Sequence, residues 1–384
     1  REDLFEKLYP ADFILEGIDQ IRGWFNLLFV ASMVAMNNAS FKSVYMHGFI
    51  NDSQGRKMSK SLGNYILRQE VVKEFGADTL RYYMIGGTAP GVDINYNFDD
   101  MKVKHKNLTV LWNLHKYLIE MAKNLKVNPS DLDLKKFELD VEERYIFSKL
   151  NSTIKKMTEL FDEYKLNETP WQVEDLFLEL SRTYIQLTRE KSSMGSDDNK
   201  KVALYTVYNV FMESLKLFAP IAPFITERMY QNLKHEFKLK EDSIHLLSWP
   251  KYNEEQIDRE LEDAMKAVSE IVQSALAVRE KIQLGVRWPI KELVVATKDN
   301  NVMKAVEKLK DVIKTQVNVK AIGLVETMPH VRVKIKADYS KIGPDFGDKA
   351  PQVIAQLAID SPETVLNHIN EKGKYSFKAD GEVL

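Results

Sequence analysis

The 384-residue sequence predicts a multidomain protein that combines an α/β segment with an all-α segment. Three observations support this prediction. Short strand-like and helix-like patterns alternate over residues 1–98, long amphipathic helical patterns fill residues 99–250, and strands reappear among helices over residues 251–384. The length agrees with two or three domains. We therefore expect an α/β domain, a helical domain and a small α+β region with these boundaries.

The composition excludes several classes of protein. Hydrophobic residues make up 44% and charged residues 29% of the chain, and the net charge is −2, so any nucleic-acid site must be a local patch. The absence of cysteine excludes disulfides and thiolate metal sites, and the seven histidines show no ligand-like spacing. The longest apolar stretch, near Trp24–Met36, is too short to cross a bilayer. We expect a cytoplasmic protein with no membrane span and no metal ligands of its own.

The first 98 residues read as an α/β layer. A helix is predicted from Gln20 to Asn38, a buried strand over Phe41–Ile50, and a helical pair over Gln69–Ile85 that is broken at Gly76. The apolar positions at helical spacing in the first helix are Trp24, Leu27, Leu28, Ala31 and Val34. A strand followed by a loop and a helix favours a ligand site at the carboxyl end of the strand.

The middle of the chain reads as a helical bundle. The predicted helices cover Lys102–Leu125, Val141–Tyr164, Pro170–Lys191 and Asp197–Lys238. Pro220 and Pro223 should kink or split the last of these, because proline removes a helical hydrogen bond.

The last third of the chain changes character. A long amphipathic helix is predicted over Glu254–Ile282, and a Gly/Pro-rich linker over Tyr339–Pro351. Three strands and three helices are predicted around that linker: strands Leu293–Thr297, Val317–Glu326 and His330–Ala337, and helices Val302–Ile313, Pro351–Ala358 and Pro362–Ile369.

The most informative motif is the loop Gly55–Asn64, which reads Gly-Arg-Lys-Met-Ser-Lys-Ser-Leu-Gly-Asn. Glycines allow sharp bends and close approach to a ligand, and Lys57 and Lys60 each offer a mobile positive charge with three donors. Such a loop can close on a polyphosphate and stabilise the charge that develops as pyrophosphate leaves. The alternative interpretation is a solvated basic turn.

Three segments together resemble the isoleucyl-tRNA synthetase family of class I aminoacyl-tRNA synthetases. They are Glu16–Phe25, His47-Gly48-Phe49 and the lysine loop Lys57–Ser61, which matches the second signature of the class. Weaker similarities continue along the chain at Leu111–Asn113, Ser181–Gln186, Ala219–Phe224, His245–Pro250, Val286–Ile290 and Gly343–Gly347, the last two in the archaeal and eukaryotic style. Valyl-type and leucyl-type relatives share the lysine loop and remain the alternatives.

The resemblance implies the fold and its limits. It implies the second half of a Rossmann-like class I catalytic domain, a helical anticodon-binding bundle and a small C-terminal region. The first class signature, His-x-Gly-His, is absent from the sequence, and the sequence starts without methionine. We therefore expect an internal piece of a longer enzyme that is inactive alone.

The resemblance also implies an activity: isoleucine is activated with ATP, accompanied by Mg²⁺, and the isoleucyl group is then transferred to tRNA(Ile). Lys57 and Lys60 would be catalytic. The residues implied to bind ATP are His47, Gly48, Phe49, Met58, Ser59, Lys60 and Ser61. Those implied to bind isoleucyl-adenylate are Glu16, Gly17, Asp19, Gln20 and Trp24. The alternatives are helix capping for Glu16 and Asp19, core packing for Trp24 and a structural hydrogen bond for His47.

Five residues are candidates for tRNA binding: Trp112, Arg182, Gln186, Arg189 and Arg287. Arg182, Gln186 and Arg189 are spaced by four and three residues and should share one helix face. Trp112 lies on an apolar stripe, so core packing is its alternative role. A protein that only binds tRNA, without catalysis, is the alternative function. We expect a monomer.

Overall fold

A computed structural model describes residues 2–59, 61–133, 137–328, 335–376, 378–379 and 382–383. The chain forms two compact units. One contains the residues up to 291 together with 304–320, and the other contains 292–303 together with 321–384. The boundaries predicted from the sequence for three domains stay a prediction.

The α/β segment consists of short elements: α1 (Glu2–Leu8), β1 (Ile14–Gly17), α2 (Trp24–Met36), β2 (Val44–His47), β3 (Ile50–Asn51), α3 (Arg68–Phe75), α4 (Ala77–Gly86) and β4 (Ile94–Asn95). Strands β1 and β2 pair in parallel, and so do β3 and β4. Parallel pairing requires a crossover connection, and α2 provides it between β1 and β2. The predicted break between α3 and α4 is confirmed at Gly76, which has a φ of +86°.

One expectation for this segment is wrong, namely the buried strand. The strand predicted over Phe41–Ile50 is only four residues long, and its residues are exposed or half-buried rather than buried. The apolar stripe of α2 is also largely exposed, with Val34 84% and Leu27 68% exposed, while the buried residues of that helix are Phe25 and Ser32. The periodicity correctly identified a helix, but the described residues do not cover its apolar side.

The helical bundle follows the predicted pattern more closely. Its long helices are α5 (Phe98–Leu125), α6 (Val141–Asp162), α7 (Thr169–Glu179), α10 (Asp197–Phe218) and α11 (Pro223–Phe237). The split at Pro220 and Pro223 is confirmed. The core is formed by fully buried side chains that include Leu111, Leu118, Ile146, Ile154, Met157, Phe177, Phe211 and Phe218. Burial of such side chains is the main source of stability for a bundle.

The third predicted helix of the bundle is not continuous. After α7 the chain forms a π-helical turn over Leu180–Tyr184, then α8 (Ile185–Leu187) and α9 (Arg189–Met194). The hydroxyl of Thr188, between α8 and α9, donates to the carbonyl of Tyr184. A π turn contains more residues than an α turn, so positions beyond it rotate away from the face that α-helical spacing predicts.

The rest of the chain contains α12 (Arg259–Lys281), β5 (Ile290–Ala296), α13 (Asn300–Lys308), α14 (Lys310–Val317), β6 (Val319–Val325), α15 (Tyr339–Phe346), α16 (Ala350–Ile359), α17 (Pro362–Lys372), β7 (Lys378–Ala379) and β8 (Glu382–Val383). Strands β5 and β6 form one two-stranded sheet, and β7 and β8 form another. The two short helices predicted near the end are confirmed as α16 and α17.

Three predictions for this region need correction. The helix predicted over Val302–Ile313 is interrupted at Leu309, which gives α13 and α14. Residues 330–334 of the predicted strand His330–Ala337 lie outside the described residues. Its remaining residues, 335–337, are described and are not in a strand. The predicted linker Tyr339–Pro351 is mostly helical, because the carboxylate of Asp338 caps α15 by accepting from the amide of Ser340.

Candidate nucleotide site and RNA interface

The parallel pairing of β1 and β2 brings several predicted site residues together. Glu16 lies opposite Met46 and Gly17 lies opposite His47, so both strands end at the same edge. Glu16 and His47 are exposed there, whereas Gly17 is buried. The carboxyl edge of parallel strands is the usual position of a ligand site in α/β folds. The expectation of a ligand at the carboxyl end of this strand stays a prediction.

Gly17 sits in a close-packed position at that edge. A β-carbon added to it would lie 2.5 Å from Oδ1 of Asp19 and 3.3 Å from Cε1 of His47. The backbone amide of Gly17 donates to the carboxylate of Glu16 at 3.3 Å. A side chain at this position would have to displace the carboxylate of Asp19, whereas the backbone angle is ordinary, with a φ of −68°.

The short 3₁₀ turn Ile18–Ile21 carries the next two candidates. The amide of Gln20 donates to Asp19 at 2.8 Å, and the carbonyl oxygen of the Gln20 side chain accepts from the backbone amide of Trp24 at 3.1 Å. Gln20 thus tethers the start of α2, and Trp24 is 43% exposed rather than in a core. The core alternative for Trp24 is wrong.

His47, Gly48 and Phe49 line a mostly apolar cavity of about 700 Å³ together with Val92 and other residues. The imidazole Nδ1 of His47 lies 2.8 Å from the carbonyl oxygen of Gly48, so the structural role weighed for this histidine is present. The backbone amide of Phe49 donates to the carboxylate of Asp93 at 2.7 Å. The sequence analysis did not identify Asp93, which lies 44 residues further along the chain.

The lysine loop lies next to this segment. The ammonium group of Lys57 is 5.9 Å from the ring centroid of Phe49, within the range of a cation–π contact. The hydroxyl groups of Ser59 and Ser61 are 3.1 Å apart. Met58 packs against a buried apolar cluster, so packing is its observed role. Lys60 lies outside the described residues.

Among the RNA candidates, Gln186, Arg189 and Arg287 line one cavity of about 560 Å³. Its lining contains other polar groups and apolar side chains, namely Leu187, Glu190, Ser193, Met194, Val286, Thr315, Gln316 and Asn318. Arg287 joins the two candidates of the bundle although it is about 100 residues away in the sequence. This convergence could not be deduced from helical spacing.

The two remaining RNA candidates lie elsewhere. Arg182 is exposed within the π turn and is absent from the described lining of that cavity, so the single face expected for Arg182, Gln186 and Arg189 stays a prediction. Trp112 is half-buried, and its ring packs edge-on against His115 with centroids 4.4 Å apart. Trp112 is not one of the buried core residues, so its role in RNA binding stays a prediction.

Arg279, near this cavity, was not among the candidates predicted from the sequence. The side chain is 2% exposed, and its Nη2 donates to the carbonyl oxygens of Val286 and Trp288. The amide of Asn318 donates to the same carbonyl of Val286 at 2.8 Å. The turn that contains Arg287 is therefore held on both sides of that residue. An arginine in an amphipathic helix gives no sequence signal for such a role.

One group of acidic side chains in the described part of the chain has ligand atoms close enough to share a cation: Asp140, Glu142 and Glu143. The ammonium group of Lys191 lies 2.7 Å from both Asp140 and Glu143 and supplies positive charge there. Asp140 and Glu143 also form the capping box that starts α6. These contacts give the cluster a structural role.

The described residues contain no helix that is both long and apolar enough for a membrane span. Two family models match the chain. The model for class I tRNA synthetases (I, L, M and V) matches residues 1–97, and the model for the anticodon-binding domain of tRNA ligase matches residues 143–296. Together they cover both the strand edge with the lysine loop and most of the bundle.

Curated relatives match the chain over nearly its whole length. The isoleucine–tRNA ligase of Methanosarcina mazei is 37% identical over 100% of this chain and 37% of its own length. The corresponding enzyme of Thermococcus kodakarensis is 35% identical over 100% of this chain and 35% of its own length. That of Methanosarcina barkeri is 40% identical over 92% of this chain and 34% of its own length. The chain spans about a third of the length of these relatives.

Solved structures agree on the fold. LeuRS of Agrobacterium radiobacter K84, in a ternary complex with tRNA and LeuAMS, matches with a TM-score of 0.52 and 22% identity, covering 67% of this chain and 30% of that one. The methionyl-tRNA synthetase of Mycobacterium tuberculosis in complex with methionyl-adenylate matches with a TM-score of 0.50 and 18% identity. This match covers 63% of this chain and 49% of that one. The chain therefore contains a class I tRNA synthetase domain over residues 1–97 and an anticodon-binding domain of tRNA ligase over residues 143–296, and its relatives along the sequence are isoleucine–tRNA ligases.

Proposed function

We propose that this chain forms part of an isoleucine–tRNA ligase, which activates isoleucine with ATP and transfers the isoleucyl group to tRNA(Ile). The observation that carries the proposal is the arrangement at one sheet edge. Two parallel strands end side by side at Glu16, Gly17 and His47. Phe49 follows two residues later, and its ring lies near the ammonium group of Lys57. This edge and the adjoining lysine loop would together form a crevice with acidic groups for the amino acid and ribose and basic groups for phosphate.

The acidic side of the crevice would bind isoleucyl-adenylate. The exposed carboxylate of Glu16 suits the ammonium group of the substrate, and that of Asp19 suits the ribose hydroxyls, as acidic residues do in dinucleotide folds. Gly17 leaves room for the nucleotide. Gln20, whose side chain is already tethered to Asp19 and Trp24, would position Asp19 as well as face the acyl oxygen, and Trp24 would wall the amino-acid pocket.

The basic side would bind ATP, with its adenine near His47, Gly48 and Phe49. Lys57 and Lys60 would bind the phosphates and stabilise the leaving pyrophosphate, assisted by the hydroxyl groups of Ser59 and Ser61. Lysine ammonium groups and hydroxyls suit phosphate oxygens, and Mg²⁺ would arrive with the ATP. No proton transfer by the protein is required in this step, so catalysis rests on positioning and charge.

The bundle would bind tRNA(Ile) at the cavity lined by Gln186, Arg189 and Arg287. Arginine and glutamine side chains around a space of about 560 Å³ can hold an unstacked base and its phosphate. Arg182 would add a more distant phosphate contact. We place the protein in the cytoplasm as a monomer.

The test is a chimera in which this chain replaces its homologous segment in the Methanosarcina mazei enzyme. We expect isoleucine-dependent exchange of pyrophosphate into ATP and charging of tRNA(Ile). Lys57→Ala and Lys60→Ala should each lower the exchange rate by about 10²- to 10³-fold. Lys42→Ala is the matched control, because Lys42 is an exposed lysine paired with Asp12. Exchange that is unchanged by Lys60→Ala, or that prefers valine or leucine, would contradict the proposal.

RNA binding without catalysis is a second candidate, favoured by the convergence of Gln186, Arg189 and Arg287. Fluorescence anisotropy of tRNA(Ile) with this chain tests that part independently. Arg189→Ala and Arg287→Ala should weaken binding, and each should reduce the slope of log affinity against log salt by about one, the value for a single phosphate contact. Arg259→Ala is the control, since Arg259 is exposed in α12 and pairs with Glu262. A chimera that binds tRNA but lacks exchange activity would support this second function.

A further inference from the structure

The lysine loop is anchored by a carboxylate that precedes it. Asp52 is 7% exposed, and its two carboxylate oxygens accept hydrogen bonds from both sides of the loop. Oδ1 accepts from the backbone amides of Gln54 and Arg56 at 3.0 and 2.9 Å. Oδ2 accepts from Nε of Arg56 at 2.8 Å and from the side-chain amide of Asn64 at 3.0 Å. Residues 54, 56 and 64 are thus held by one group.

Asn64 completes the connection from the other end of the loop. Its side-chain amide donates to Asp52 and also to the carbonyl of Lys57 at 3.2 Å. Its side-chain oxygen accepts from the backbone amide of Ser59 at 2.9 Å. One side chain therefore connects the residue before the loop to two residues within it, on both sides of Met58.

Two backbone hydrogen bonds and one packing contact also hold the start of the lysine loop. The backbone amide of Asp52 donates to the carbonyl of Arg56 at 2.8 Å, and that of Gly55 donates to the carbonyl of Asp52 at 3.0 Å. Met58 packs on the apolar cluster that contains Val71 and Phe75. The turn at Gly55 is therefore pinned, although glycine alone would suggest a hinge.

The charge of Asp52 is part of this arrangement. The hydrogen bond from Asn64 holds the pKa of Asp52 well below its ordinary value, and the backbone amide of Arg56 acts in the same direction. A carboxylate that accepts several hydrogen bonds is stabilised in its ionised form. The group therefore stays an acceptor for both ends of the loop throughout the neutral range.

We propose that Asp52 and Asn64 are positioning residues for isoleucine activation, which hold the start of the lysine loop so that Lys57, Ser59 and Ser61 meet the phosphates of ATP in a fixed geometry. This inference rests on the proposed function of the loop. Neither residue needs to touch the substrate. Their effect is on the placement of charges, where an error of about 1 Å can cost about 10²-fold in rate.

The experiment uses the same chimera and measures isoleucine-dependent pyrophosphate exchange. Asn64→Ala and the near-isosteric Asp52→Asn should each lower kcat by about 10- to 100-fold. The KM for isoleucine should change less than about twofold, since the acidic side of the crevice is untouched. Because the two residues act through one contact, the double variant should be little worse than the more severe single variant.

Three controls separate the possible outcomes. Gln54→Ala should leave exchange unchanged, because Gln54 contacts Asp52 only through its backbone amide. Affinity for tRNA(Ile), which depends on the bundle, should be unaffected in every variant and reports correct folding. If Lys60→Ala abolishes exchange while Asn64→Ala and Asp52→Asn leave kcat intact, the positioning role is refuted and the proposed function stands. If Lys60→Ala has no effect, the proposed function itself is refuted.

Discussion

The carboxylate of Asp78 in α4 accepts a hydrogen bond of 2.5 Å from the backbone amide of Ile225, in the first turn of α11. The amide of Phe224 approaches the same carboxylate at 3.4 Å. One turn further along α4, Arg81 donates to the carbonyl oxygens of Pro220 and Ile221. The α/β segment therefore holds the proline-containing turn of the bundle with an acceptor and a donor from one helix.

We predict that Asp78→Ala lowers the free energy of unfolding by about 1–3 kcal/mol, because it leaves amides at the start of α11 without their acceptor. Burial raises the pKa of Asp78, and the amides of Ile225 and Phe224 oppose that shift. Asp78→Asn keeps an acceptor and should cost less. Urea unfolding of the chain measures both, with Glu120→Ala, an exposed acid in α5, as the control. Equal stability of Asp78→Ala and the unmodified protein would contradict the capping role.

The sequence predicted helices and helix breaks, which depend on neighbouring residues. It did not predict contacts between residues that are distant in the sequence. The split at Pro220 and Pro223 follows from proline itself, and the long bundle helices follow from their period. The hydrogen bond from Asn64 to Asp52 joins residues that are twelve positions apart, and it forms only because the chain folds back on itself. The cap on α11 by Asp78 spans an even longer separation. Neither contact leaves a periodic signal.

The candidate sites divide in the same way. The resemblance named Glu16 and His47 as site residues, but their meeting at one strand edge comes from the parallel pairing of β1 and β2, which the sequence did not predict. The grouping of Arg189 with Arg287 was not predictable either, since nothing local relates α9 to the turn after α12. The face predicted to include Arg182 assumes regular α-helical spacing, which the π turn over Leu180–Tyr184 interrupts.

Two glycines near the crevice should respond differently to alanine. In Gly17→Ala the new β-carbon displaces the exposed side chain of Asp19, so stability should change by less than about 0.5 kcal/mol while exchange falls by about 10²-fold. In Gly48→Ala the new β-carbon would collide with the backbone of Val92, and overpacking should cost about 1–3 kcal/mol. Thermal unfolding and exchange kinetics of both chimeras measure this contrast. Equal effects of the two substitutions on stability would be inconsistent with it.

A buried ion pair should give the protein a specific dependence on pH. Nζ of Lys104 lies 2.7 Å from Oε2 of Glu174, and it also lies over the ring of Tyr82 at 4.6 Å. Burial nevertheless raises the pKa of Glu174 to about 7, although the charge of Arg182 acts in the opposite direction, and burial lowers the pKa of Lys104.

Because the folded-state pKa of Glu174 lies above its ordinary value of 4.5, the folded protein retains a proton that the unfolded chain releases as pH rises from 4.5 to 7. Stability due to this group is present below pH 4.5, falls across that window by an amount of order 3 kcal/mol at most, and is constant above it. In Glu174→Gln this component of the pH dependence should disappear. Urea unfolding at several pH values measures the difference, and parallel stability curves for the two proteins would exclude the assignment.

The last prediction concerns the buried charge of Arg279. Its Nε and Nη1 find no hydrogen-bond partner among the described residues, while its Nη2 holds the carbonyls on either side of Arg287. Replacing a buried, incompletely paired charge by an apolar side chain of similar length is often neutral or stabilising. Arg279→Met should therefore leave the free energy of unfolding unchanged or raise it.

The same substitution should weaken binding of tRNA(Ile) by roughly 5- to 10-fold, about 1 kcal/mol, because the turn that presents Arg287 loses its restraint. Anisotropy titrations of Arg279→Met, Arg287→Ala and the double variant measure this effect. The double variant should bind no more weakly than Arg287→Ala, since Arg279 acts only through the turn. Additive losses would mean that Arg279 supports RNA binding by a separate route, and a loss of stability together with affinity would mean that it is simply part of the core.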